Sequence, residues 1–270
     1  MGKTTVSDVL SLLSRIAEAT TVRSVWDLAT GHFAGLGFGR VNYGFTRFLG
    51  ERGIDNPEDA VFLTTADADY VRHYFASGLF ARTPAFRWAQ QNSGACTWGW
   101  IDAAFRKGEL SADEAAAVEQ NARMGITAGL TVSFPETSTR SKGALGMIAD
   151  PGLDHAAVDA IWEANRQEIL ALANMMHLKI VNMPGANGRR PLTQRQREAL
   201  EWVADGKTTQ DVAVLMGVSP AMVEKHLRLA REALEVETTA QAVAKAALLN
   251  MIFHKDGGER HPLPRSTAAR

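Results

Sequence analysis

The chain has a single cysteine, Cys96, in 270 residues. One thiol closes no disulfide within the chain and rules out a multi-cysteine metal site. Net charge is almost absent too: 29 Lys and Arg against 30 Asp and Glu leave a formal −1. That excludes a globally basic nucleic-acid binder. It leaves room for a DNA reader with a local basic face, because only the docking surface has to be positive. Long apolar runs are missing: no stretch approaches the roughly eighteen consecutive apolar residues of a membrane span. The opening MGKTTVSDVLSLLSRIAEAT spaces its apolar residues helically and interrupts them with Ser, Arg and Glu, which is not a secretory signal. The expectation is a cytoplasmic protein without membrane contact. Phosphate-loop, zinc-spacing and hydrolase-elbow patterns are lacking, and Gly35–Gly37 reads as a helix end rather than a nucleotide fingerprint. No cofactor, metal or enzymatic activity is expected.

What the chain does have is 46% hydrophobic residues, enough for two well-filled cores at this length. The sharpest composition break is MPGANGRR at Met183–Arg190, whose Pro and Gly end helix and strand alike. The expected division is therefore a ligand-binding domain over 1–182, a flexible linker over 183–190, a small helical domain over 191–255 and a disordered tail over 256–270. In the large domain, helices are expected over 5–18, 22–36, 68–79, 84–92, 111–124 and 155–181. Ser111 and Glu114 form a capping box, and Pro84 sits in a first helical turn. Arg40–Arg47, Ala60–Thr64, Ile126–Phe134 and Gly143–Asp150 read as strands. Helices at both ends around an antiparallel sheet predict an α+β protein: an α/β/α sandwich followed by a four-helix unit.

In that unit, Thr193 caps a first helix with Leu200, Trp202 and Val203 on its apolar face, and Gly206 ends it. Thr208 or Thr209 caps a second, whose Val212, Ala213, Leu215 and Met216 face inward. Gly217-Val218-Ser219 is a tight joint: the glycine accepts a left-handed conformation, Ser219 caps the next helix and Pro220 occupies its first position. Two short helices on such a joint make a helix-turn-helix. The second carries Lys225, His226, Arg228 and Arg231, with Met222, Val223, Leu227 and Ala230 expected on the packed side. A structural helical bundle with a solvated basic face is the alternative.

This module resembles the LuxR-type (GerE-like) DNA-binding domain. The residues carrying the resemblance are Leu192, Thr193, Arg195, Glu198, Leu200, Trp202, Gly206, Lys207, Thr208, Ala213, Leu215, Val218, Ser219, Val223, His226, Leu227, Leu234 and Ala242. Gln196 departs from the family's usual Glu, which predicts the loss of a carboxylate contact. The resemblance implies a recognition helix in the major groove of duplex DNA. Glu224, Lys225 and Arg228 would face bases, where Lys and Arg suit guanine acceptors and Glu accepts from cytosine N4. Lys207, Thr208, Ser219 and Arg231 would meet phosphates, which position without specifying. A carboxylate at 224 weakens nonspecific attraction, so binding is expected to need two modules, hence a homodimer. The last helix, Thr239–Ile252, supports dimerisation in the family or simply closes the small core.

The N-terminal region resembles the family's quorum-sensing branch, whose sensor domain holds an acyl-homoserine lactone between sheet and helices. The stretch carrying the comparison is YVRHYFASGLFARTPAFRWAQQNSGACTWGW. Tyr74, Pro84, Trp98 and Gly129 match pocket positions. Tyr70 stands where the family has a tryptophan that donates to the lactone, and Thr83 where it has an aspartate that accepts from the ligand amide. A charge-assisted hydrogen bond contributes about 1.5–3 kcal/mol, so its loss costs about tenfold or more in affinity. Phe86 and Trp88, with Tyr43 from a strand facing them, complete the candidate lining. Plain core is the alternative reading of these aromatics. The function implied is a ligand-responsive DNA-binding regulator that senses an acyl-homoserine lactone or a related molecule. The alternative is a ligand-independent regulator whose N-terminal domain serves only dimerisation or protein contacts. Cys96 and His73 are not expected to be catalytic.

Overall fold

The computed structural model describes residues 6–254 except 51, 52, 55, 137 and 188. The expected disordered tail lies outside the described residues. Two compact units divide the chain, residues 1–189 and 190–270.

The first unit runs α1 (Val6–Glu18), α2 (Val22–Gly35), β1 (Arg40–Thr46), β2 (Leu49–Gly50), β3 (Gly53–Ile54), β4 (Val61–Thr64), α3 (Ala68–Val71), α4 (Pro84–Gln91), β5 (Gly94–Thr97), α5 (Gly99–Lys107), α6 (Ala112–Arg123), β6 (Gly129–Ser133), β7 (Lys142–Ile148) and α7 (His155–Val181). Side chains close the helix starts. Thr21 caps α2, Thr83 caps α4, Asp154 caps α7, and Ser111 with Glu114 forms the anticipated box on α6.

The main sheet has the order β4-β1-β7-β6-β5, antiparallel throughout. Its register puts Tyr43 opposite Leu145, and Leu145 opposite Val132. Alternation then sorts the faces. Val41, Tyr43, Phe45, Leu130, Val132, Leu145 and Met147 share one core with Ile16, Phe33, Leu172 and Met176 of α1, α2 and α7. Each such side chain contributes about 1.5–3 kcal/mol when fully buried. The other face carries Asn42, Gly44, Thr46, Thr131, Ala144 and Gly146, nearly all small. Large residues fill one face, and small ones leave room on the other.

Four expectations change. Residues 68–79 are not one helix: α3 is a single turn, followed by a π turn over Arg72–Ala76, a left-handed Gly78 and a 3-10 turn over Leu79–Arg82. Both β5 and α5 were not anticipated, because GACT is short and α5 opens at a glycine without a side-chain cap. The paired strands end earlier than expected, at Ser133 and Ile148. The expected flexible linker is anchored at Met183 and Arg189. Met183 is buried in the core, and Arg189 is buried in an ion pair with Asp59, 2.6 Å from Nε to Oδ1.

The second unit contains α8 (Gln194–Ala204), α9 (Thr209–Met216), α10 (Pro220–Leu234) and α11 (Thr239–Leu248). Thr193, Thr208 and Thr238 each close a capping box. Gln196 supplies one of them, accepting from the Thr193 N–H at 2.8 Å, so the amide does at this end what a carboxylate would. Leu200, Val212, Met216, Val223, Leu227 and Ala246 form its centre. Leu215 and Met222 do not join it: they are 45% and 39% exposed. The inward stripe of α9 runs through 212, 213 and 216, about a quarter turn from 215, and 222 lies beside the stripe of 223, 227 and 230.

Candidate ligand pocket and DNA-reading face

Against the small-residue face of the sheet lies a cavity of about 120 Å³. Its floor is Asn42, Gly44 and Thr46 of β1, Thr131 of β6, and Ala144 and Gly146 of β7. Its walls are aromatic. Phe62 packs on Phe75 and Phe80 with centroids 5.9 and 6.2 Å apart, and Phe80 meets Phe86 edge-on at 5.3 Å. Leu49 and Ile54 of the small hairpin close one side. A second cavity, about 250 Å³, lies between α5, α6 and the start of α7. Tyr74, Thr83, Ala85 and Trp98 border both.

Hydrogen-bond accounting limits what the shared wall offers. Thr83 is buried, donates its proton to the Phe80 carbonyl at 2.8 Å, and accepts from the Phe86 N–H at 3.2 Å. A hydroxyl has one donor and two acceptor sites, and the Tyr74 hydroxyl lies in hydrogen-bond reach of the site that is left. Trp98 Nε1 donates to Thr131 Oγ1 at 2.8 Å, which spends its only donor. The Tyr74 ring stacks on Tyr70 at 4.9 Å. Burial pushes the Tyr74 phenol up to about 12, with the Thr83 hydroxyl pulling the other way.

In the C-terminal unit Gly217 takes φ 65°, and Ser219 accepts from the Met222 N–H at 3.3 Å. That joint sets α10 with Glu224, Lys225 and Arg228 exposed along one side. Thr209 Oγ1 donates to Glu224 at 2.9 Å, and Arg228 pairs with Glu232 at 2.5 Å. Lys207, Thr208 and Ser219 are exposed, whereas Arg231 is half-buried and donates to Thr239 Oγ1 at 2.8 Å.

Residues 21–180 match the family described as "Autoinducer binding domain", and residues 190–246 match "Bacterial regulatory proteins, luxR family". The chain belongs to the LuxR-type regulators. It is a quorum-sensing transcriptional regulator with an autoinducer-binding domain and a DNA-binding helix-turn-helix domain, and its family is not one of enzymes. It is 28% identical to the transcriptional activator protein SolR of Ralstonia nicotianae over 74% of this chain and 80% of that protein. It is 26% identical to the quorum sensing-dependent regulator VjbR of Brucella ovis over 93% and 90%. The fold matches Escherichia coli SdiA at TM-score 0.57 and 17% identity, over 92% of this chain and 99% of that one. SdiA in complex with octanoyl-rac-glycerol matches at TM-score 0.53 and 18% identity, over 94% and 100%. Among the described residues, no helix is long and apolar enough to cross a membrane, and no cluster suited to a metal ion is found.

Of the sequence-predicted pocket residues of this LuxR-type chain, Tyr43, Tyr74, Thr83, Phe86 and Trp98 border the first cavity. Tyr43 does so from its strand, but its ring belongs to the opposite core: the hydroxyl meets His177 Nδ1 at 2.9 Å, and burial pushes the phenol up. Three others line neither cavity. Tyr70 is buried, and its hydroxyl accepts from Asn42 Nδ2 at 2.6 Å. Trp88 sits half-buried on α4 beside the lining residues. Gly129 serves Trp98, because a Cβ there would collide with the Met147 carbonyl oxygen and come within 2.7 Å of Trp98 Cζ3. Burial raises the Cys96 thiol to about 11, which disfavours the thiolate near neutral pH. His73 is exposed, and its Nδ1 lies 2.7 Å from the Asp69 carbonyl. Sequence reasoning missed the floor, which is readable in the strand GALGMI: Gly143, Leu145 and Met147 share the packed face, while Ala144 and Gly146 leave the other hollow. It also missed α5 and α6 as the walls of the second cavity.

Proposed function

We propose that this regulator is a cytoplasmic homodimer that binds an operator in duplex DNA through α10 and responds to a small molecule with an apolar chain, an acyl-homoserine lactone or a relative of one. The observation carrying this reading is the hollow beneath the aromatic cluster, floored by Gly44, Ala144 and Gly146. A core designed only for stability would fill it, because cavities cost stability. On α10, Lys225 and Arg228 read base edges and Glu224 discriminates; Lys207, Thr208 and Ser219 meet phosphates. Arg231, tied to Thr239, contributes by holding α10 against α11. The ligand acts by favouring one arrangement of the dimer over another.

A ligand-independent regulator is the second reading, favoured by one observation: Thr83 and Tyr70, at the family's two polar pocket positions, already spend hydrogen bonds inside the protein. The test is an operator gel-shift titration, with and without N-octanoyl-homoserine lactone, on the wild type and Arg228→Ala. The expected result is tenfold or greater loss with the variant and a ligand-dependent change in wild-type affinity. Unaltered operator affinity in Arg228→Ala sinks the reading of α10. Neither a ligand effect on DNA nor a thermal shift with any apolar-chain compound leaves the second reading standing.

A further inference from the structure

Two neighbouring threonines open α9, and they do different work. Thr208 is the cap: its Oγ1 accepts from the Asp211 N–H at 3.2 Å and donates to Asp211 Oδ2 at 2.7 Å. Thr209 has no part in that cap. Its hydroxyl donates instead across the joint, to Glu224 Oε1 on α10 at 2.9 Å. Both ends of this bond stand on fixed backbone. Val212 and Ala213 bury the inner face of α9, and Val223 and Leu227 bury that of α10. A β-branched threonine is also stiff about its first side-chain torsion.

The bond is informative because a closer partner is at hand. On a helix, Glu followed four residues later by a cation is the favoured orientation for an ion pair. Glu224 and Arg228 stand in that relation on α10, yet they do not pair. Glu224 turns to Thr209, and Arg228 turns to Glu232. A Glu224–Arg228 pair would engage with each other two of the groups that α10 offers to bases. Kept apart, both remain exposed. A carboxylate accepts through two oxygens, so with Oε1 on Thr209, Oε2 is left for the amino group of a cytosine. Arg228 uses Nη1 on Glu232, and a guanidinium has further donors for guanine.

We propose that Thr209 is a positioning residue for DNA specificity: it holds the Glu224 carboxylate away from Arg228 and presents it to one base pair. This rests on the reading of α10 as the base-facing helix. It adds the residue, on another helix, that sets what Glu224 discriminates.

The test is selection of binding sites from randomised duplexes with the full chain, followed by gel-shift titrations on the selected site and its single-base variants. Glu224→Ala marks the base pair concerned, the position at which that variant loses its preference. There the wild type is expected to discriminate about tenfold. Thr209→Val keeps the shape and removes the hydroxyl. It is expected to bring that ratio below about threefold, mainly by weakening the selected site rather than its variants. Thr209→Ser restores the hydroxyl and is expected to return the ratio to within about twofold of the wild type, a rescue that a packing role of the threonine methyl would not give. Thr209→Ala takes the place of the valine variant should that fail to fold. An equal loss on every duplex assigns Thr209 to a phosphate and overturns the proposal, as does an unchanged ratio. Wild-type preference at every position in Glu224→Ala overturns it together with the reading of Glu224, and leaves Arg228 to the titration described above.

Discussion

Arg189→Met should destabilise the N-terminal unit by about 3–5 kcal/mol, the usual cost of removing one member of a buried ion pair. Arg189 and Asp59 side chains are only 2% and 3% exposed, with Nε 2.6 Å from Oδ1. The bond is charge-assisted and shielded from water, so neither screening nor side-chain freedom discounts it much. Glu58, 4.0 Å from the same guanidinium and 62% exposed, adds little. For a unit of this size the loss corresponds to about 6–20 °C in Tm. The consequence reaches the pocket. Asp59 ends the turn Pro57–Asp59 between β3 and β4, and those strands supply Ile54 and Phe62 to the cavity. Ligand affinity should fall with stability. The assay is a double-mutant cycle in urea on the full chain, with Asp59→Leu as the second member. Replacing both charges by apolar groups should recover most of the loss, since a buried pair is often matched by well-packed hydrocarbon. Losses below about 1 kcal/mol in the single variants, or a double variant equal to their sum, would refute the reasoning.

Gly129→Ala should cost about 1–3 kcal/mol, because the added methyl meets the backbone of β7 and the Trp98 ring together. Trp98 then leaves Thr131, and a shift in tryptophan emission should accompany the drop in Tm; a variant with wild-type emission and Tm refutes the account of that glycine. His177 gives a pH dependence. It is buried, stacked on Phe134 at 4.0 Å, and held down to about 4 by burial and by the Arg47 charge. The unfolded chain binds a proton near 6.5 and the folded one does not. Stability is therefore complete above that pH and falls by about 2–3 kcal/mol as pH drops towards 4. His177→Gln should flatten this part of the profile in urea titrations; an equal slope in the variant means that other groups carry it.

Much of the architecture was legible because local chemistry and global packing agree. The box at Ser111 and Glu114, the Gly217–Pro220 joint and the 155–181 helix are all written in short-range signals, and they position both units. The misread segments lack such signals. At 68–79 the helical pattern continues, but the backbone gives it up for a π turn that places Tyr74 and Phe75 towards the cavity, a tertiary demand overriding propensity. Tyr43 was assigned to the pocket because it is aromatic. Parity along β1 decides otherwise, since 41, 43 and 45 must share a face and that face is already filled by α7. Gly129 was assigned to the pocket but lines neither cavity, and its role could not be read, because the clash it avoids lies across two strands and a loop.

The sheet therefore acts as a partition between a finished core and an unfinished one. On the α1, α2 and α7 side, burial is complete. On the other, Gly44, Ala144 and Gly146 withhold the side chains that would complete it, while Thr131 and Tyr70 steady Trp98 and Tyr74. A ligand chain entering that space supplies the missing contacts, so its binding energy becomes folding energy of the β4, α4 and hairpin walls. Filling the hollow from within should then imitate the ligand. A Cβ added at Gly146 meets nothing nearer than the Asn42 carbonyl oxygen at 4.0 Å, so Gly146→Val is the variant to try. It should raise Tm while weakening apolar-chain binding at least tenfold. A variant that gains no stability, or that binds as before, would mean that the space is held open by the backbone and that the ligand is not completing a core.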